Sequence, residues 1–456
     1  MSNKIIFLFF FYFICGQDLS VAATYYVSTA GSGNACSSVS PCSLPKGIGK
    51  IANGDTLILK DGSYNVVISG MPNGSSGAYT VIKAENDGGV VFTRPFTLTH
   101  TSSYIQFEGL KFDFASGKAI VGNHIKFLRC SFVGGAATGN EVNVGIGTNN
   151  HADTQYILLE DCWAYGSGGR YKIMVYNSDK VVLRRVVVRD DGGWSTTNSD
   201  PEAGIAIYQS SNVSVQNSIV IDSNLSTYHK TNVGAFYLTG HAGNRSSNNV
   251  EYLGCMAINN QKDGWSVDTD DGAVGLLMRD NVIYGQTGNG IAQSNKSVAI
   301  DIQRLTVGNI NGWGIGNWGA RTNTIVDSLF FRLAKGTSKG NNLISYSNTY
   351  KPADVNGNGI SHVNPLANGL QHLLRIETGS RLKTSGRSGG QMGAQIMHKI
   401  GESGTLWGDQ GYNTVTNQNL WTWSFESRLK SEMCGVTGRG LCESGKTFTG
   451  YIGGLL

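Results

Sequence analysis

From about residue 80 to residue 350 one alternation of apolar and polar positions recurs along the chain. A turn residue opens a short run of alternating apolar positions, a small or polar residue interrupts it, and more apolar positions follow. The instances are HIKFLRCSFVG (124–134), YILLEDCWAYG (156–166), VVLRRVVVRDD (181–191), VSVQNSIVIDS (213–223), VEYLGCMAINN (250–260), VGLLMRDNVIYG (274–285) and NTIVDSLFF (323–331). Aligning the interruption gives Cys130, Cys162, Val186, Ser218, Cys255, Asn281 and Ser328, with a degenerate copy near Leu305. A second phrase interleaves with the first, a glycine opening a short strand, at Gly204, Gly234, Gly264, Gly290 and Gly314.

Two or three short strands per unit, with Asn and Gly at the corners, predict a solenoid in which each unit is one coil and like positions stack on like. Stacked coils form parallel sheets with neighbours about 4.8 Å apart. Asn123, Asn212, Asn249 and Asn323 precede strands at what should be equivalent corners, where Asn tolerates left-handed backbone. Cys130, Cys162 and Cys255 are read as an internal ladder of small apolar side chains rather than catalytic thiols. Leu44, Ile48 and Ile51 fall at helical spacing and predict a short N-terminal capping helix over the open sheet edge. Beyond about residue 370 the repeat fades. A segment follows in which Phe425, Leu429 and Met433 share one helical face, expected to pack over the last coils.

Composition agrees with a strand-rich globular chain. Of 456 residues 62 are glycine and 7 proline, 40% are apolar and 15% charged. That apolar content and a net charge of +4 exclude disorder. The 36 basic and 32 acidic residues form no long run of one sign, which argues against nucleic-acid binding. Lys4, the apolar run Ile5–Cys15 and the small residues Val21-Ala22-Ala23 read as a signal peptide over 1–23. The run is too short to span a bilayer, which takes about 20 apolar residues. The organisation expected is therefore a signal peptide (1–23), a β-solenoid (24–370) and a C-terminal capping segment (371–456) in a secreted or periplasmic monomer with no membrane span. Export makes two local disulfides the expectation, Cys36 with Cys42 and Cys434 with Cys442.

The opening TYYVSTAGSG, followed by GDTLILKDGSYN (54–65), resembles the start of secreted right-handed parallel β-helix proteins of the pectate-lyase-like and chondroitinase-B-like kind. The resemblance spans most of residues 24–370. It implies an all-β, right-handed parallel β-helix with a short N-terminal capping helix and a C-terminal cap. CMAINNQKDGWSVDTDDG (255–272) is similar to the segment in which one pectate lyase family carries calcium ligands as Asp-Asp-Gly-aromatic-Asp. Asp263 and Gly264-Trp265 match that pattern. Lys262 stands at the first aspartate and Ser266 at the last, so two of three ligands are replaced.

Registering the coils on the glycines gathers charge at one corner. Asp200 and Glu202, His229 and Lys230, Lys262 and Asp263, and Asn289 precede successive glycines; Arg170, Tyr171 and Lys172 come from the coil before, and Asp268, Asp270 and Asp271 follow the third strand. The plain alternative is a solvated corner, because turns collect Asp, Asn and Lys for local reasons. The functional expectation is β-elimination on an acidic, uronic-acid polysaccharide. That reaction removes a weakly acidic C5 proton and gains from neutralising the neighbouring carboxylate, by calcium or arginine. Lys262 or Lys230 is the candidate base. Asp200, Glu202, Asp263 and Asp268 are candidate cation ligands, with calcium the expected cofactor. Arg170 or Arg279 is placed at the substrate carboxylate. Trp194, with Tyr171 and Lys172, is the candidate sugar-binding set, whereas Trp265 is expected to face the core. Glycoside hydrolysis by two carboxylates, C5 epimerisation and a non-catalytic glycan-binding scaffold are the alternatives.

Overall fold

Strands fall where β-branched and aromatic residues alternate with small ones, and each ends at a residue that can turn the chain. In the computed structural model the described residues are 22–135, 142–149, 152–166, 169–191, 201–223, 233–240, 246–269, 274–294 and 298–456. The signal-peptide expectation therefore lies outside the described residues, apart from its final two positions. Among the described residues three sheets run along the molecule, with 13, 12 and 9 strands, here called sheets I, II and III. A typical coil gives one strand to each: Asn248–Leu253 to sheet I, Met256–Ile258 to sheet II and Asp263–Asp268 to sheet III. Each pairs in parallel with its equivalents one coil before and one coil after. Crossovers between parallel strands are right-handed, and the chain is a right-handed parallel β-helix.

Stacking places like on like in the interior. Phe107 lies on Phe127 at 4.6 Å, Phe112 on Phe132 at 5.5 Å and Phe236 on Trp265 at 4.3 Å between ring centroids. These separations match one coil spacing and suit aromatic contact. Trp265 is fully buried, as the alternation required. The interrupting residues form the expected internal ladder. Cys130 N–H donates to Cys162 Sγ (3.4 Å), Val186 N–H to Ser218 Oγ (3.1 Å), Cys255 N–H to Asn281 Oδ1 (2.8 Å) and Leu305 N–H to Ser328 Oγ (3.1 Å). The small side chain sits where sheet I turns into sheet II and satisfies the buried amide one coil earlier.

The turn itself is a single left-handed residue, and it need not be Asn. Arg129, Asp161, Arg185, Asn217, Asp280, Arg304 and Asp327 occupy that row with φ between 45° and 56°. Opposite charges on adjacent coils pair along it, Arg185 with Asp161 (2.7 Å) and Arg304 with Asp280 (2.5 Å). The asparagine corners are only partly equivalent. Asn212 and Asn249 are left-handed and joined by a 2.6 Å hydrogen bond. Asn123 falls one residue early, with His124 taking the left-handed place, and Asn323 is a buried strand residue donating to Gln293 and Asn342.

Both ends are covered. The helix Leu44–Ile48 buries Leu44 and Ile48 beneath the first coil, with Ile51 beside them, and Cys36–Cys42 closes the neighbouring loop. The C-terminal segment differs from expectation. It runs back along the outer face of sheet II rather than sitting on the last coils. Trp163 Nε1–H donates to Glu432 (3.0 Å) and Arg428 donates to Arg129 O (2.8 Å), both on early coils. The reason is the outer face of sheet II, which is apolar at Trp163, Val187, Ile219, Met256, Val282 and Phe331 and needs a cover. Leu429 and Met433 of the helix Glu426–Cys434 are buried there, but Phe425 precedes the helix and is exposed. Cys434–Cys442 staples the end of this helix to the next turn.

Candidate functional site

The tail covers the outer face of sheet II and part of sheet I, where Leu406 packs with Leu158 and Val182, and the candidate site lies on sheet III. Its rows follow from register. Tyr171, Ala203, Gly234, Asp263 and, by extension, Asn289 form one row. Met174, Ala206, Tyr237, Ser266, Ala292 and Gly316 form the next outward row. The glycine phrases therefore align with one slip. Gly204, Gly264, Gly290 and Gly314 share a row, but Ala235 occupies it on the strand Val233–Thr239 and Gly234 lies one residue early.

The candidate site is a groove of about 420 Å³ on this face, lined by Tyr237, Asp263, Ser266, Asp268, Asn289, Ser294 and Trp318 among others. Asp263 opens the strand Asp263–Asp268 and is 8% exposed. Its Oδ1 accepts from the backbone N–H of Asn289 (2.7 Å) and from the Asn289 amide (2.9 Å). Gly288 permits this approach, since a Cβ there would stand 2.7 Å from Asp263 Oδ1. Burial pushes the Asp263 carboxyl up to about 6, against the opposing pull of the Asn289 and Ser266 hydrogen bonds and the Lys262 charge. Lys262, with φ at 64°, turns the chain into this strand and remains partly exposed. At the other end of the strand Asp268 accepts from Ser294 Oγ–H (2.5 Å) and Tyr237 O–H (3.5 Å).

The structure thus brings Lys262, Asp263, Asn289 and Asp268 to one face. Arg170 and Glu202 lie at the start of strands of the same sheet, three and two coils before Lys262. Arg170 Nε–H donates to Pro201 O (2.7 Å) and its guanidinium covers the Tyr171 ring. Glu202 is buried beside Asp190 and Asn260 around a cavity of about 10 Å³. Three assignments need correction. Lys172 is fully buried and pairs with Asp190 at 3.2 Å, so it cannot touch a bound chain; its row faces inward where Gly204 and Gly264 stand on later coils. Tyr171 is 3% exposed and packs with Ala203, Ala206 and Tyr237. Arg279 ends a strand of sheet I between Leu253 and Gln303, on a different face from Asp263. Trp194, Asp200 and Lys230 lie outside the described residues.

Trp318, Ser294 and Tyr237 were not singled out by the sequence. A signal existed: Asp268, Ser294 and Trp318 each stand four residues after an aligned glycine, at Gly264, Gly290 and Gly314. Among the described residues no three His, Cys, Asp or Glu side chains stand together as a metal cage. Asp263 also spends one oxygen on Asn289. The described residues by themselves do not fit calcium.

A second hollow of about 500 Å³ lies over Gln155, Asp179, Ser211 and Asn248. Its one carboxylate, Asp179, is engaged by Asn212 and Lys180.

Pectate lyase Pel9A superposes with a TM-score of 0.50 over 88% of this chain and 98% of its own, at 16% identity. The fold is that of pectate lyase Pel9A. A PL6 family polysaccharide lyase from Pseudopedobacter saltans (TM-score 0.39, 14% identity, 86% and 99% of the two chains) and a GH136 lacto-N-biosidase from Eubacterium ramulus (0.41, 11%, 71% and 68%) are more distant. No protein-family model and no curated protein sequence matches this chain. At such identities the likeness to Pel9A concerns the β-helix and not its chemistry. No helix among the described residues is long and apolar enough to cross a membrane.

Proposed function

We propose that this chain is an exported polysaccharide lyase-like enzyme that cleaves uronic-acid polymers by β-elimination in the groove on sheet III. The observation that supports it is the placement of Lys262, partly exposed, next to the buried carboxylate of Asp263 at the groove on sheet III, near enough for the Lys262 charge to oppose the rise in the Asp263 pKa. In the reaction an amine, from Lys262 or Lys230, takes the C5 proton of the uronic acid. The electron pair left at C5 forms the C4–C5 double bond, the bond from C4 to the glycosidic oxygen breaks, and the leaving oxygen takes up a proton. Asp263 places a carboxyl beside Lys262, and Arg170 supplies positive charge further along the same face, three coils before Lys262. The two disulfides and the resemblance at the N-terminus support export.

Glycoside hydrolysis is the alternative chemistry, but the two carboxylates of the groove, Asp263 and Asp268, stand at opposite ends of one strand, roughly 16 Å apart along the chain, wider than the ~5–9.5 Å between a paired acid and base. Incubation with pectate, alginate and glycosaminoglycans separates the readings. Ultraviolet absorbance from an unsaturated product supports the lyase, saturated reducing ends support the hydrolase, and binding without either product would leave a glycan-binding scaffold.

A further inference from the structure

Trp318 occupies an unusual place for a large apolar side chain. It is 42% exposed, yet the six-membered ring of its indole lies over Gly316 of sheet III. A Cβ on Gly316 would stand 2.5 Å from the indole carbons, so glycine at that position makes the bed on which the ring rests. Gly316 belongs to the row of Ser266 and Ala292, which places the ring two coils beyond Ser266, roughly 10 Å along the axis. It lines the same groove as Asp263 and Asp268. Lys339, exposed and one coil further, pairs in register with Gly316 and brings its ammonium 5.5 Å from the Trp318 ring centroid.

We infer that Trp318 and Lys339 form a distal subsite for an acidic sugar unit. The exposed ring face would stack on the pyranose and the ammonium would meet its carboxylate. A pyranose unit advances a glycan by about one coil spacing, and the ring lies two coils along the axis and three residues along the strand from Asp263, so a chain crossing the face obliquely places about its third unit from Asp263 on Trp318. This inference rests on the reading of the groove as a uronic-acid site and adds the direction of the chain and the minimum length it must have. A face of bare serine and alanine would bind no unit there; Trp318 is what gives the groove a far end.

The test is calorimetric titration of the full chain with oligogalacturonides and oligomannuronates of two to six units. Their carboxyl-reduced neutral counterparts are titrated alongside, and the series is run in calcium and again in chelator. Trp318→Ala is expected to weaken the longer acidic oligomers by about tenfold and to leave the dimers unchanged. Trp318→Tyr should restore most of the loss, and Lys339→Gln should weaken acidic but not neutral oligomers. Circular dichroism of each variant checks that the coil is intact. If longer acidic oligomers bind Trp318→Ala as tightly as wild type, the subsite is wrong and the lyase reading stands. Neutral oligomers binding as tightly as acidic ones also overturn it. If no acidic oligomer binds wild type, the subsite and the lyase reading fall together.

Discussion

Asn289 donates two hydrogen bonds to one oxygen of Asp263, from its backbone N–H at 2.7 Å and its side-chain amide at 2.9 Å, across adjacent coils of sheet III. The contact fixes the carboxylate at the groove while burial raises its pKa to about 6. A group held this way is neutral below that pH and charged above it.

The first prediction concerns pH. The folded pKa of Asp263 lies above its ordinary 3.8, so the folded protein holds this proton more tightly than the unfolded chain. Stability is therefore reduced as pH rises from 3.8 through about 6 and stays reduced above it. Asp263→Asn keeps an acceptor for Asn289 and removes the charge. It should be more stable than wild type at pH 8 by about 1–2 kcal/mol, with no difference near pH 3.5. Activity should move the other way, rising in wild type as pH passes about 6 and flat and low in the variant. Urea midpoints and initial rates at matched pH values check both.

The second prediction separates base from structure at Lys262. Its backbone N–H donates to Thr287 Oγ1 (2.8 Å) and its carbonyl accepts from Gly288 (2.9 Å), contacts any residue there can make. Lys262→Ala should therefore keep the fold while lowering the rate of unsaturated-product formation by about 10²–10⁴. Lys230→Ala is the companion variant. Full activity in both would remove the assignment of the base.

The third prediction addresses the tail. Glu160 lies between Arg184 (2.8 Å) and Arg185 (2.6 Å), all nearly inaccessible, and the loop 402–405 closes over them. Burial alone would raise the Glu160 pKa, but the two guanidinium groups hold it below its ordinary value of 4.5. Its contribution to stability is thus present above 4.5 and lost as pH falls through the lower folded value. Glu160→Ala would leave two buried cations short of a partner and should cost about 3–5 kcal/mol at pH 7, read as a lower urea midpoint. Glu160→Gln should show a smaller loss and less dependence on acid.

The fourth prediction concerns the thiols. Cys130, Cys162 and Cys255 are buried, and burial pushes the Cys255 thiol up to about 12. Iodoacetamide at pH 8 should leave all three unmodified in the folded protein and alkylate them in urea, as intact-mass measurement would show. Alkylation in the native state would mean the internal ladder opens readily.

The coil was readable from the chain because its cause is local. Apolar alternation, small residues at 130, 162, 218 and 255, and glycines at stacked positions each impose the same turn on every unit. Repetition then makes neighbours of like positions. The same logic placed Trp265 inside, Lys262 and Asp263 together, and Asn289 beside them.

Misjudged positions were those where stacking alone does not decide the outcome. A one-residue offset at Gly234 against Ala235 is invisible without the partner strand. Lys172 looks like a surface cation in its own coil, and only the inward turn of its row and the presence of Asp190 bury it. Arg279 joins no groove because its strand belongs to another sheet. The path of the tail follows from the apolar outer face of sheet II, a property summed over many coils.

What the sequence by itself determined is the solenoid, its internal ladder, its N-terminal cap and disulfides, since these follow from short-range pattern repeated many times. What only the tertiary structure decided is which face carries the groove, which charges reach it, and that Trp318 lies on Gly316 at its far end. Those depend on register and covering between segments distant in the chain, and a side chain's solvent exposure is a property of its neighbours in space.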